Sequence, residues 1–140
     1  MQAVLFSSGR PVLIRPVSHD RRNAPIIGGP MVIGWNGSVE AVRAVVGALP
    51  LIQASRRVEV ISIGEKSVNA FDAYELVKYL AWWGVQAGAT GIAIEDWTGG
   101  DVVDAALGKG AKLLVMGARE KGNATSHMLR TLPMPALMAA

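Results

Sequence analysis

The segment from Pro30 to Ser38, PMVIGWNGS, decides the fold class that we expect for this chain. Its mostly apolar first half is typical of a strand that is buried on both faces of a parallel sheet. Asn36 to Ser38 then predicts a tight turn, and a serine in this position commonly caps the following helix. From Val39 to Leu51 the apolar residues recur at helical spacing. The segment therefore predicts a strand, a tight turn and a helix.

The same alternation continues along the rest of the chain. Further strands are expected at Arg57 to Ile63, Thr90 to Glu95, Ala111 to Met116 and Pro135 to Met138. Helices are expected at Ala70 to Trp83, with Tyr74, Val77, Leu80 and Ala81 on one face, and at Asp101 to Leu107. Strands that alternate with helices imply parallel βαβ units, so we predict an α/β fold with a doubly wound, mostly parallel, five-stranded sheet. Ligands bind such sheets outside the carboxyl ends of the strands.

The composition narrows the class of protein. The chain has 140 residues, of which 51% are hydrophobic and 18% are charged, a balance typical of one packed domain. It has no cysteine, which excludes disulfides and thiolate chemistry. We recognise no signal peptide and no apolar run near the ~20 residues that span a bilayer, so we expect a cytoplasmic protein without a membrane partner. The basic residues are scattered, without stacking aromatics, so we expect no nucleic-acid partner.

Residues 1–29 do not fit the βαβ alternation. Gly9 to Pro16 is predicted to be an isolated short strand, and Ser18 to Gly29 is predicted to be a polar linker with glycine and proline. Arg10 to Pro16 and Leu132 to Met138 both place a proline before a short apolar run, which is a faint repeat of one strand. We therefore divide the chain into an N-terminal strand and linker, residues 1–29, and a main domain, residues 30–140.

Four segments, in order, resemble the universal stress protein (UspA-like) family. They are VIGWNGS at Val32 to Ser38, VEVIS at Val58 to Ser62, GAKLLVMGA at Gly110 to Ala118 and MPALM at Met134 to Met138. The first is similar to the family's strand-Asp-Gly-Ser-helix opening, and the third to its signature strand before the phosphate loop. The resemblance implies a Rossmann-like fold of the adenine nucleotide α-hydrolase type, with an extra N-terminal strand in this chain.

The N-terminal segment resembles the end of the first domain in tandem members of this family. The resemblance implies that residues 1–29 carry the last strand of a preceding domain. The final strands of two domains commonly pair across the dimer in this family, so a homodimer is expected. The expected pairing, either within one chain or across a dimer, joins Val12, Leu13 and Ile14 to Ala136, Leu137 and Met138.

The resemblance also raises the question of nucleotide binding. Nucleotide-binding members have an Asp at the end of the opening strand and a Gly-x2-Gly-x9-Gly-Ser/Thr loop after the fourth strand. Here Asn36 replaces that Asp, and Glu120 stands where the second glycine is expected. Trp35 is bulky enough to fill the adenine slot. The residues that would contact a nucleotide are Asn36, Gly37, Ser38, Ile61, Gly117, Gly122, Thr125 and Ser126.

Other catalytic or metal-binding patterns are missing from the sequence. His19 and His127 are isolated, without metal-ligand spacing, and there is no nucleophile elbow or P-loop. Glu95 and Asp96 are adjacent on a strand, so they point to opposite faces and do not converge. A receiver domain is disfavoured because the opening strand lacks clustered acidic residues at its end. The adjacent Trp82 and Trp83 cannot both face one core, so we expect one of them to be half-exposed.

These observations favour a non-enzymatic stress-response protein that acts through dimerisation or through binding of a protein partner. No catalytic residue, metal or cofactor is expected. The alternative is a stress protein that binds ATP or another adenine nucleotide through a degenerate loop from Gly117 to Ser126.

Overall fold

The computed structural model describes residues 10–16, 28–64, 70–95, 97–118 and 131–140. The strands are β1 (Val12–Ile14), β2 (Pro30–Gly34), β3 (Arg57–Gly64), β4 (Ala87–Ala93), β5 (Leu113–Gly117) and β6 (Ala136–Ala139). The helices are α1 (Val39–Ala54), α2 (Ala70–Trp82) and α3 (Gly99–Gly108). Within these residues the strands form one sheet in the order β1-β6-β5-β2-β3-β4. The predicted α/β fold with a mostly parallel sheet is confirmed.

The core has two layers, one on each face of the sheet. Met31 and Ile33 of β2 pack with α1 and α2, whereas Val32 between them packs with α3 on the opposite face. Both faces of β2 are buried because successive strand residues alternate sides and each side has a helical layer. This arrangement explains why the segment Pro30 to Gly34 is nearly continuously apolar, as expected for an internal parallel strand.

The N-terminal strand β1 pairs with β6 inside the same chain. It is antiparallel to β6, whereas every other strand pair in the described sheet is parallel. In the register, Val12 lies opposite Met138, Leu13 opposite Leu137 and Ile14 opposite Ala136. In this single chain β6 therefore has a neighbour on both sides, β1 and β5.

Among the elements after residue 29, two differ most in their bounds from the prediction. The strand expected at Thr90 to Glu95 begins earlier, at Ala87, because it follows the parallel register of β3 from Val58 onward, and it ends at Ala93. Gly88 weakened the sequence signal, and the atom nearest to a Cβ at this position is a carboxylate oxygen of the flexible Glu59 side chain, 2.7 Å away. Helix α1 continues past Pro50 to Ala54. The N–H of Ser55 donates to the carbonyl of Ile52 at the end of the helix.

The buried face of α2 was predicted only in part. Of the predicted residues, Leu80 is buried and Val77 packs against the core, whereas Tyr74 and Ala81 are exposed. The residues that enter the core are Ala73, Leu76 and Leu80. These three recur at intervals of three and four, which places them on one stripe of the helix. Trp82 is 87% exposed and Trp83 is 48% exposed, so both tryptophans lie largely outside the core. No helix in the described part of the chain has the length and apolarity needed to cross a membrane.

Candidate ligand site at the carboxyl edge of the sheet

The carboxyl ends of β2 and β5 form the topological switch point of the sheet. The two strands are neighbours, but the chain leaves β2 toward β3 and leaves β5 toward β6, in opposite directions. This divergence opens a crevice at which doubly wound proteins bind their ligands. The turn Trp35 to Ser38 lines one side of the crevice, and Gly117 and Ala118 line the other.

The turn after β2 is held by its own polar groups. Asn36 Oδ1 accepts a hydrogen bond of 3.0 Å from the N–H of Ser38, and Gly37 between them has a φ of 72°. Ser38 Oγ accepts a hydrogen bond of 3.1 Å from the N–H of Ala41 and thereby caps α1. These are the Asx-turn and N-cap roles that Asn and Ser favour at helix starts. Asn36 and Gly37 remain exposed at the mouth of the crevice.

Gly117 is required by the packing of the backbone. A Cβ at this position would lie 2.5 Å from the backbone nitrogen of Ala41 and 2.7 Å from the carbonyl carbon of Glu40. The end of β5 therefore touches the first turn of α1, and a side chain has no space there. The N–H of Ala118 donates to the carbonyl of Ala139 at 2.8 Å, so the sheet continues at the point where the phosphate loop was expected to begin.

Ile61 and Ser62 anchor the same turn from β3. Ile61 is buried, and its carbonyl accepts a hydrogen bond of 2.9 Å from the N–H of Trp35. Ser62 is fully buried, and its hydroxyl donates to the carbonyl of Trp35 at 2.9 Å. Sequence reasoning missed Ser62, although a serine within the apolar run VEVISIG was a usable signal. Trp35 itself is half-buried and packs against the cluster under α1 and α2.

The remaining predicted residues of the loop, Gly122, Thr125 and Ser126, lie outside the described residues, as do Glu120 and both histidines. Asp101, close to Glu95 in the sequence, has a structural role, since its carboxylate accepts the N–H of Thr98 at 2.7 Å at the start of α3. In the ranges that the structure describes, no group of three or more His, Asp or Glu residues is placed to hold a metal ion.

Several solved structures of universal stress proteins are similar to the structure of this chain. A universal stress protein from Archaeoglobus fulgidus DSM 4304 superposes with a TM-score of 0.77 at 18% identity. It matches 99% of this chain and 53% of its own, so this chain spans about half of that protein. This chain has the universal stress protein fold. The resemblance stated from four sequence segments is thus confirmed at the level of the fold.

Shorter universal stress proteins give similar results. A family member from Burkholderia pseudomallei has a TM-score of 0.60 at 20% identity and matches 81% of this chain and 96% of its own. UspA from Lactobacillus plantarum has a TM-score of 0.59 at 14% identity and matches 80% of this chain and 96% of its own. No family model and no curated protein matches the sequence. At these identities the comparisons show the universal stress protein fold, and function is a separate question.

Proposed function

We propose that this domain is a non-enzymatic binding or assembly protein of the stress response, which acts through dimerisation or through a protein partner. The exposed apolar side chains on α1, on α2 and directly after α2 are the observation that carries the proposal. They are Val39, Val42 and Val46 on α1, Tyr74, Tyr79 and Trp82 on α2, and Trp83 directly after α2. Exposed apolar groups on neighbouring helices of one layer are typical of interaction surfaces, and aromatic residues are enriched in such surfaces.

Four of these side chains line the groove between α1 and α2, which we call the α1–α2 groove: Val42, Val46, Tyr79 and Trp83. On α1, Gly47 and Arg43 mark the flank toward β1 and β6, because Gly47 adjoins Pro11 and Arg43 donates to the carbonyl of Ala140 at 3.0 Å. Val42 and Val46 are turned away from Gly47 by about 140° and 100° about the helix axis, toward the other flank.

The α2 side of the groove is placed in the same way. Gln53, on the same flank of α1 as Val46, donates to the carbonyl of Trp83 at 3.3 Å. The rings of Trp83 and Tyr79 meet edge to face, with their centroids 6.5 Å apart. Tyr79 is one turn before Trp83, so both rings belong to the flank of α2 that faces α1. The groove therefore offers aliphatic groups on one wall and aromatic groups on the other.

The turn after β2 supports a role other than nucleotide chemistry. The side-chain oxygens of Asn36 and Ser38 are both engaged by backbone N–H groups, and the carbonyl of Ile61 is engaged by Trp35. Glycine at position 117 is explained by its contact with α1, without any phosphate. Among the described residues that resembled a nucleotide site, Asn36, Ser38, Ile61 and Gly117 thus have structural roles in holding β2, β3, β5 and α1 together.

We also propose that residues 1–29 correspond to the end of a preceding domain in tandem universal stress proteins. The long Archaeoglobus fulgidus protein covers 99% of this chain, whereas the shorter proteins, matched over more than nine tenths of their own length, cover about 80% of it. Residues 30–140 then form the main domain. The pairing of β1 with β6 supports this proposal, because β1 behaves as one more strand of the same sheet.

One observation favours adenine-nucleotide binding as a second candidate. The exposed Asn36 and Gly37, the amino end of α1 and Gly117 converge at the switch point between β2 and β5. The amino end of a helix attracts anions through its free N–H groups and its dipole. A nucleotide bound there would lie with its phosphates close to Ser38.

Calorimetric titration with ATP and AMP, together with light scattering on a sizing column, tests the two candidates. The wild-type protein should give no heat up to millimolar nucleotide and should form a dimer or capture a partner. Ser38→Asp keeps a good helix cap but adds a negative charge beside any phosphate, so it is the matched variant. Micromolar ATP binding that Ser38→Asp abolishes would overturn the non-nucleotide proposal.

Val46→Glu tests the α1–α2 groove. Val46 is 56% exposed, so a glutamate there should leave the fold intact while it places a charge among the apolar groups of the groove. Binding of a protein partner through this surface should weaken markedly. Asp104→Asn on α3 also alters one exposed charge, on the other face of the sheet, and serves as the control. Unchanged association in Val46→Glu would exclude the groove as the binding surface.

A further inference from the structure

We propose that the outer edge of β4 is a strand-pairing surface that binds a second copy of this chain in antiparallel orientation. The inference rests on the proposed function, because it assigns a surface to the dimerisation expected there. The two edges of the sheet differ in how they are protected. At one edge, β1 has three residues, with Pro11 directly before it and Pro16 shortly after it. Short strands and flanking prolines discourage pairing between sheets.

The opposite edge has none of these features. β4 is seven residues long, with the sequence AGATGIA, and it contains no proline and no charged residue. Within the described residues it pairs with β3 on one side, and no described strand covers its other side. Such a strand presents a row of backbone N–H and C=O groups that can extend the sheet into another chain. Its side chains are mostly small, so a second backbone can approach closely.

The sequence of β4 is compatible with a copy of itself, which points to a second copy as the occupant. Antiparallel pairing centred on Thr90 sets Ala87 opposite Ala93, Gly88 opposite Ile92 and Ala89 opposite Gly91. Thr90 then meets its own counterpart, and cross-strand threonine pairs are favourable. Just outside the strand, Glu95 lies opposite Val85, so no like charges oppose each other. A two-fold axis through Thr90 gives a closed, self-complementary interface.

The helix above this edge supplies a second, independent observation. Helix α2 packs over β3 and β4, and its Tyr79 and Trp83 mark the flank toward α1. Tyr74 and Lys78 lie on the other flank, beyond β4, because they are turned away from Tyr79 by about 140° and 100° about the helix axis. Tyr74 is 55% exposed, although aromatic rings gain from burial. In a dimer with its two-fold axis at Thr90, α2 of the second copy would lie alongside this α2 and cover the ring of Tyr74.

The charges on that flank do not oppose such contact. Lys78 Nζ lies 3.0 Å from the carboxylate of Glu75 and 5.3 Å from the ring centre of Tyr74. The lysine is therefore paired on its own helix, and the flank brings no unbalanced charge from these residues to the interface. In one two-fold dimer, the β4 strands of the two copies would then pair, and the ring of Tyr74 on α2 would be buried at the same edge of the sheet.

Light scattering on a sizing column and analytical ultracentrifugation of the full chain test the inference with two charge variants. Thr90→Lys and Thr90→Glu each place like charges opposite each other at the two-fold axis. We expect the wild type to dimerise and each variant alone to weaken the dimer at least fivefold. An equimolar mixture of the two variants should restore a heterodimer. Leu13→Lys, at the β1 edge, is the matched control and should leave the dimer unchanged.

Thermal unfolding of each variant shows whether the fold is retained. A wild-type monomer at high micromolar concentration would overturn the inference, as would a dimer that neither Thr90 variant weakens. A dimer that survives both Thr90 variants and dissociates in Val46→Glu would overturn the β4 surface and leave the proposed assembly function standing. A mixture of folded variants that stays monomeric would also count against pairing centred on Thr90.

Discussion

Gly117 and Ala41 lie so close together that a Cβ on Gly117 would be 2.5 Å from the backbone nitrogen of Ala41. The neighbouring atoms belong to the backbone at the start of α1 and cannot move aside as a flexible side chain would. This contact joins the end of β5 to the turn that follows β2, so it fixes the shape of the crevice at the switch point. A glycine that resembles part of a phosphate loop is thus explained by packing.

Gly117→Ala should therefore destabilise the fold by about 1–3 kcal/mol, as expected for overpacking at a rigid site. Urea unfolding followed by circular dichroism measures the change. Gly108→Ala is the matched control, because nothing lies within 4 Å of a Cβ at that position near the end of α3. The control should be neutral or slightly stabilising. Equal stability of Gly117→Ala and the wild type would contradict the packing explanation.

The cap of α1 gives a second prediction. Ser38→Ala removes the acceptor for the N–H of Ala41 and should lower the free energy of unfolding by about 1 kcal/mol. Ser38→Asp retains an acceptor and should keep nearly all of the stability, which also makes it suitable for the nucleotide titration. The urea midpoints of both variants measure the difference. If alanine and aspartate at position 38 gave the same stability, the cap would not matter for the fold.

The buried hydroxyl of Ser62 gives a third prediction. It donates to the carbonyl of Trp35 at 2.9 Å in a part-buried hydrogen bond, and an acceptor shielded from water that loses its donor costs free energy. Ser62→Ala should cost about 1–3 kcal/mol of stability and loosen the turn at Trp35. Unfolding curves measure the cost, and hydrogen exchange at the amides of residues 35–38 measures the loosening. Ser55→Ala, which removes a hydroxyl that bonds Gly29 and Arg57, should leave exchange at that turn unchanged.

The N-terminal strand gives a fourth prediction, with a control in the adjacent residue. Ile14 is 2% exposed and belongs to the core cluster on the α3 face, whereas Leu13 is 45% exposed. Ile14→Ala should cost about 2–5 kcal/mol, the range for large-to-small changes in a core. Leu13→Ala should cost much less, because less of its side chain leaves water on folding. Similar losses in the two variants would mean that β1 contributes no core packing.

Most of the fold was predicted from the periodic spacing of apolar residues along the chain. The apolar strand at Pro30 to Gly34, the cap at Ser38 and the helix that follows were predicted from local sequence, because each depends on residues that are close together in the chain. The start of β4 was missed because Ala87 to Ala89 have weak strand propensity. Their strand geometry comes from pairing with Val58 to Val60 in β3. The buried face of α2 was predicted only in part, because large apolar residues on its exposed sides obscured the stripe of Ala73, Leu76 and Leu80.

The candidate site was predicted only in part. The difference between the features that were predicted and those that were missed has a physical cause. The sequence by itself determined the alternation of elements, the turn at Asn36 to Ser38 and the resemblance to the universal stress protein fold, since these follow from spacing along the chain. Only the tertiary structure decided that Gly117 adjoins Ala41, that Ser62 holds Trp35 and that β1 pairs with β6 in the same chain. Each of these contacts joins residues that are distant in sequence, and their proximity depends on how the whole sheet is ordered.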